Sequence, residues 1–172
     1  MQLSIDNQTF RKILGHYPTG ICAITAMANG SAAAMIVGSF SSVSLDPPLV
    51  GFFPDRKSSS WPKIQAAGRF CVNVLGAHQM DLCRLLATKS ETKFETVAFR
   101  TSDNGSPILD DVVAWIDCEL HSVSDAGDHY MALGLVRGLQ IERAASPLLF
   151  FQGGYGQFTP LELECLDTQT AA

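Results

Sequence analysis

The chain has 172 residues, enough for one domain around a single core. A net charge of −5, a pI near 5.2 and the lack of any Lys/Arg run exclude a nucleic-acid groove, which needs clustered cations. With 47% hydrophobic residues, 17% charged residues and a mean hydropathy of +0.14, part of the surface is expected to close against a second copy of the chain, giving a homodimer.

Asp6 or Asn7 can cap a first helix whose stripe is Phe10, Ile13 and Leu14, stopped by Pro18 and Gly20. Ile21 to Met27 reads as a strand. Asn29-Gly30 signals a hairpin, and Ala32 to Ser39 returns as its partner. Leu49 to Phe53 is apolar throughout, as in a strand buried on both faces. Ser58 to Ala67 predicts a helix with Pro62 in its first turn and Gly68 beyond its end. A strand at Phe70 to Leu75 and an amphipathic helix at Gln79 to Ala87 follow. Phe94 to Phe99 is ambiguous, and Asn104 to Pro107 is a loop. Val112 to Val123 and Tyr130 to Ile141 are long strands around a turn at Asp125 to Asp128, and Leu148 to Gln152 is a last short strand. Strands joined largely by hairpins, with two or three helices inserted, imply a mainly β chain built on an antiparallel barrel. One domain, 1–172, is expected, with its core over about 10–158 and a loose polar tail over 159–172.

The N-terminus has neither a basic start nor an apolar stretch, so no signal peptide is expected. No window is long enough for a membrane helix. Five cysteines without a C-x-x-C pair suit reduced, buried thiols and a cytoplasmic location. The four histidines lack ligand spacing for zinc, so no metal is expected.

The segment Ala34 to Pro48, AMIVGSFSSVSLDPP, carries the first functional signal. Gly38 and the serines Ser39, Ser41, Ser42 and Ser44 occupy positions where a packing strand would carry Val or Thr. Short side chains leave backbone N–H and C=O groups reachable, so a flat, polar-edged ring such as isoalloxazine could lie there. An edge strand or β-bulge is the plainer alternative.

Asp55-Arg56-Lys57-Ser58-Ser59-Ser60 lies between a strand and a helix start. Unpaired N–H groups, two cations and hydroxyls there make a cradle for one phosphate, or else a capped helix with solvated charges. Lys93-Phe94 would suit a phosphate and a ring, but the pair is weak by itself. Gly127-Asp128-His129 opens a strand. Adjacent strand residues face opposite sides, so Asp128 and His129 are not expected to form a hydrogen-bonded pair. No G-x-S-x-G elbow and no G-x-G-x-x-G fingerprint occurs, which argues against a serine hydrolase and a Rossmann nucleotide site.

SFSSVSLDPPLV, DRKSSSW, GRFCVNVL, Lys93-Phe94, Gly127 to His129 and PLLFFQGGY, in this order over about Phe10 to Phe158, resemble the short-chain flavin reductases. The resemblance implies an antiparallel split β-barrel (Greek-key) with peripheral helices. It implies a homodimer that reduces FMN or FAD with NADH or NADPH and can supply a flavin-dependent monooxygenase. By the same resemblance Ile36, Val37, Gly38, Ser39, Ser41 and Ser42 would line the flavin ring and ribityl chain. Asp55, Arg56, Lys57, Ser58 and Ser59 would hold the ribityl hydroxyls and phosphate. Asn73 would belong to the core of that site, Lys93 and Phe94 to its rim, and His129 would meet the nicotinamide nucleotide. No residue is assigned as a catalytic acid or base. Relatives often carry Thr-Val-Asn-Ser-Phe where this chain has Ile36 to Phe40, so two polar side chains are replaced by Ile36 and Gly38. Two other readings stay open: a split-barrel flavoprotein that keeps its flavin and acts on another small molecule, and a non-catalytic flavin-binding protein.

Overall fold

The structure, a computed structural model, describes residues 5–90 and 92–161. It opens on helix α1 (Asn7–Leu14), where the Asp6 carboxylate caps the helix by accepting the Thr9 N–H at 2.8 Å. Then come β1 (Thr19–Gly20), β2 (Cys22–Ala28), β3 (Ser31–Val37), β4 (Ser41–Leu45) and β5 (Pro48–Phe52). Helix α2 (Trp61–Ala67) leads to β6 (Arg69–Val74), a 3-10 turn at Ala77–Gln79 and α3 (Met80–Leu86). The remainder is β7 (Phe99–Thr101), β8 (Pro107–Leu109), β9 (Ala114–Ala126), β10 (His129–Ile141), β11 (Leu148–Phe151) and β12 (Gly154–Gln157).

All strand pairs are antiparallel. Seven strands form one sheet in the order β3-β2-β6-β9-β10-β5-β4. Its two edges, β3 and β4, are consecutive in sequence and joined only by Gly38, Ser39 and Phe40. Extended chain covers at most about 3.6 Å per residue. The sheet must therefore curl until its edges almost meet. The result is a barrel with a seam, which fits the expected split-barrel class. Across the seam the Phe53 N–H donates to Ser39 Oγ at 3.0 Å.

A second sheet, β1-β11-β12, joins the first at Ile21. The Ile21 N–H donates to Leu148 O at 3.1 Å, the Leu75 N–H to Ile21 O at 3.1 Å, and the Leu148 N–H to Leu75 O at 2.9 Å. All three side chains are buried, so the joint is dry and fixed.

The period-two alternation of β2 builds two cores. Cys22, Ile24 and Ala26 face Phe52, Trp61, Ile64 and Phe70, while Ala23 joins Ile21, Leu75, Leu86 and Leu109. In the first core Phe52 meets Phe70 and Trp61 edge-on, with centroids 5.3 and 5.8 Å apart. Gly134 makes room for that stack, since a Cβ there would lie 2.4 Å from Phe70 Cζ. Burial pushes the thiols of Cys22 and Cys118 up to about 12 and that of Cys71 higher still, which leaves them unreactive.

Several expectations change. The serine run is not one strand. Gly38 to Phe40 turns the chain from one sheet edge to the other, and β4 is an edge strand with a register shift between Ser42 and Ser44. The plainer edge-and-bulge reading therefore describes Ser41 and Ser42. Helix α2 starts at Trp61 instead of Ser58, with Ser60 as its N-cap, while Ser58 Oγ accepts the N–H groups of Ser60 and Trp61 in the turn that precedes it. Pro107 begins β8, and the last strand is a hairpin closed by Gln152 and Gly153, both with positive φ. From residue 162 the tail, with Cys165, lies outside the described residues.

Candidate active site

A groove runs along the outer edge of β3. As an edge strand, β3 is paired only with β2, so alternate peptide groups face outward. Ala34 O is one of them, since it accepts Lys93 Nζ at 2.9 Å. By the alternation of the ladder, the peptide groups of Ala32 and Ile36 point the same way.

The groove has three continuous parts. The mouth, about 290 Å³, is lined by Met35 to Ser39, Phe53, Asp55 and His129. The middle, about 260 Å³, shares Met35, Ile36 and Asp55 with the mouth and adds Lys57 to Ser60 on one wall and Leu86 to Lys89 on the other. The far end, about 270 Å³, shares Ser59, Ser60, Lys89 and Lys93 with the middle and continues to Lys63, Ser90 and the β2–β3 hairpin. Apolar residues line both the mouth and the middle, lysines and hydroxyls are added from the middle onward, and Asp55 sets a carboxylate where mouth and middle meet.

Lys93 sets the spacing between floor and wall. Its buried ammonium donates to Ala34 O on β3 and, at the C-terminus of α3, to Leu86 O (2.9 Å) and Thr88 O (3.2 Å). The helix end favours a cation there.

The opposite wall is locked to the β9–β10 turn. Asp55 pairs with His129 across an isolated bridge, the Arg56 N–H donates to Asp128 O at 3.1 Å, and the Tyr130 N–H donates to Pro54 O at 2.9 Å. Arg56 turns away from the groove. Its guanidinium pairs with Asp125, donates to Gly127 O at 2.9 Å and lies 4.4 Å over the Tyr130 ring. The cradle was expected to offer unpaired N–H groups, and the structure leaves fewer than expected: among the described residues the Ser59 N–H has no partner. The N–H groups of Arg56, Lys57, Ser58, Ser60 and Trp61 are all bonded within the protein. An anion in the middle part meets mainly side chains, Lys57, Lys89 and the serine hydroxyls, with the Ser59 N–H beside them.

Asp128 and His129 also depart from expectation. Asp128 sits in the turn before β10 begins, so strand alternation does not separate the two. His129 Nδ1 lies 2.7 Å from Asp128 Oδ1. That hydrogen bond, and then the charge of His129, hold the Asp128 carboxyl below the usual carboxylate range.

Gly38 has a local reason to lack a side chain. A Cβ there would lie 2.7 Å from Thr19 Oγ1, so the Thr19 hydroxyl fills that space beside the mouth. Sequence reading missed Thr19 because its tie to residue 38 is made by the second sheet.

The groove thus brings together Ile36, Val37, Gly38, Ser39, Asp55, Lys57, Ser58, Ser59, Lys93 and His129. Val37 contributes mainly to the core. Others lie elsewhere. Ser41 and Ser42 are exposed on β4, and Phe94 packs edge-on with Phe99 at 5.8 Å in the second core. Asn73 is fully buried. Its amide donates to Thr25 Oγ1 at 2.9 Å and its Oδ1 accepts the Leu109 N–H at 2.8 Å, tying β6 to β2 and β8. Lys63 and Lys89 were missed, since each is an isolated cation in the sequence.

A profile of the flavin reductase like domain matches residues 14–159. The chain belongs to the flavin reductase-like family. A flavin reductase of Pseudomonas putida is 59% identical over 159 residues, 92% of this chain and 94% of that protein. The reductase subunit HsaB of a flavin-dependent monooxygenase from Mycobacterium tuberculosis is 42% identical over 162 residues, 93% of this chain and 87% of that one. Among solved structures, nitrilotriacetate monooxygenase component B from Mycobacterium thermoresistibile superposes with a TM-score of 0.86 at 41% identity, covering 97% and 96% of the two chains. The groove of this flavin reductase-like chain fits a flavin on its own chemistry. Outward peptide groups on an apolar floor suit the polar edge of a flat ring, and the lysine–serine middle suits a phosphate. No metal-binding cluster occurs among the described residues, and none of their helices is long and apolar enough to cross a membrane.

Proposed function

We propose that this flavin reductase takes FMN or FAD into the β3 groove, reduces it with NADH or NADPH, and releases reduced flavin to a separate monooxygenase. The observation that carries the reading is the edge of β3, open along a groove that has Met35 to Ser39, Phe53 and His129 at one end and lysines and serines toward the other. Bound there, the flavin would supply the chemistry by accepting a hydride at N5 from the nicotinamide. The chain's own residues bind and orient. Outward peptide groups of β3 fix the ring edge. Lys57, Lys89, Ser58 and Ser59 neutralise and hydrogen-bond the phosphate. Asp128 holds His129 at the mouth, where the imidazole can hydrogen-bond or stack on the incoming nucleotide. None of these residues has to transfer a proton for hydride transfer. Buried thiols agree with a reducing compartment, the cytoplasm.

The test is anaerobic oxidation of NADH and of NADPH with FMN or FAD as sole acceptor. Turnover well above the uncatalysed rate is expected. Rates at background with every pairing would overturn the reading.

We also assign a homodimer. Exposed apolar side chains recur on α1 (Phe10, Ile13, Leu14), on β4 (Val43, Leu45) and on β10 (Leu139, Ile141). Sedimentation at micromolar concentration should give twice 18.5 kDa, and a single 18.5 kDa species would exclude the dimer.

A further inference from the structure

We infer that the far end of the groove receives the second phosphate and the nucleoside of a flavin dinucleotide, so that this chain binds FAD more tightly than FMN. The inference rests on the flavin reading above and deepens it.

The three parts of the groove are ordered by chemistry. The mouth has Met35 to Ser39, Phe53 and His129, with Asp55 at its border with the middle; the middle adds Lys57, Ser58, Ser59 and Lys89, and the far end adds Lys63, Ser31, Asn29 and Ser90. A strand rises about 3.3 Å per residue, so the seven residues of β3 carry the groove over about 20 Å. A mononucleotide has one phosphate at the end of its ribityl chain. With its ring at the mouth and that phosphate among Lys57 to Ser59, it ends in the middle part. The cavity does not end there. It continues for about 270 Å³ past Ser59 and Ser60.

What continues is built for more anion. Lys89 borders both the middle and the far part, the position a group bridging two phosphates would use. Lys63 stands beyond it, on α2. Ala28, Ala32 and Ala33 give the far floor small side chains, which leaves height for a sugar and a flat base. Ser31, Asn29 and Ser90 supply hydrogen-bonding groups along the rim. A pyrophosphate followed by a nucleoside is the flavin feature that continues along the same line.

Fluorescence titration of the purified protein with FAD and with FMN tests this without turnover. FAD is expected to bind about tenfold more tightly or better, the size of one added charge-assisted contact. Lys63→Gln is expected to bring the ratio of the two dissociation constants toward one. So is Ser31→Glu, which sets a carboxylate at an exposed strand end. Melting curves of both variants establish that each is folded. Equal affinities in the wild type, or equal losses for both flavins in Lys63→Gln, would overturn the inference. A raised KM for the nicotinamide nucleotide with an unchanged flavin ratio would give the compartment to that dinucleotide and overturn it too. Failure of either flavin to bind the wild type is a separate result, which removes the flavin reading itself.

Discussion

At the mouth of the groove, the Asp128 carboxylate engages Nδ1 of His129 and leaves Nε2 as the ring nitrogen available to a ligand. His129→Ala is expected to slow reduction by the nicotinamide nucleotide about tenfold, near 1.4 kcal/mol, with a smaller loss of flavin affinity. Stopped-flow reduction of flavin-loaded protein checks this, and wild-type kinetics in the variant would refute the role. Asp128→Asn should give a weaker version of the same defect. A second pair at this scale is Thr19 and Gly38. A methyl on residue 38 collides with Thr19 Oγ1, so Gly38→Ala should destabilise by about 1–3 kcal/mol. In a Thr19→Ala background most of that cost should vanish. A double-mutant cycle in urea measures the coupling, and additive losses would mean that the hydroxyl is not what excludes a side chain. The Gly38 signal was legible as a missing side chain. Its cause was not, because β1 contacts residue 38 through the fold and not through sequence spacing.

At the scale of elements, the segment from Asp55 to Trp61 divides its serines between two tasks. Ser58 Oγ holds the N–H groups of Ser60 and Trp61 at the entry to α2 as well as lining the groove, whereas the Ser59 hydroxyl lines the groove and bonds nothing in that turn. Ser58→Ala should therefore cost about 1 kcal/mol of stability, the worth of those hydrogen bonds, in addition to flavin affinity. Ser59→Ala should weaken flavin binding, by at most about 1.5–3 kcal/mol, while leaving stability unchanged. Thermal melts beside flavin titrations separate the two, and a loss of stability in Ser59→Ala would show that the division is wrong. The strands with strict alternation or continuous apolar runs, β2, β5 and β6, were legible because burial alone dictates their pattern. The short β8 and β12 were not, since neighbours and not periodicity hold them. The same logic divides the site. Lys57 to Ser59 announced themselves as a run, whereas Lys63 and Lys89 reach the groove only because α2 and the end of α3 lie on either side of β3.

For the molecule as a whole, Asp117 Oδ1 is the ionisable one of three buried side-chain polar atoms without a partner among the described residues, beside Trp61 Nε1 and Ser106 Oγ. Asp117 is almost fully buried on β9. Burial raises its carboxyl above the ordinary 3.8. A carboxyl raised in the folded state binds its proton more tightly folded than unfolded. Its effect on folding is therefore least unfavourable at low pH, and stability falls as pH rises from 3.8 through the folded value. Asp117→Asn should raise stability at neutral pH, with the gain fading below about pH 4 as the wild-type carboxyl takes up its proton. Urea denaturation at a series of pH values checks the sign, and a gain that grows on acidification would contradict it. The curled sheet has a different consequence. Its seam leaves β3 with a row of outward peptide groups, of which Ala34 O is held by Lys93, and such an edge ordinarily invites another strand and then aggregation. A strand would need a lane about 4.8 Å to the side, clear along its whole length. The loop from Asp55 to Ser60 and the end of α3, drawn in by Lys93, stand in that lane and admit a thin planar molecule more readily than a backbone. A protein that takes up flavin and lets it go must survive the interval between, and the walls of this groove keep its sticky edge from finding a neighbour meanwhile.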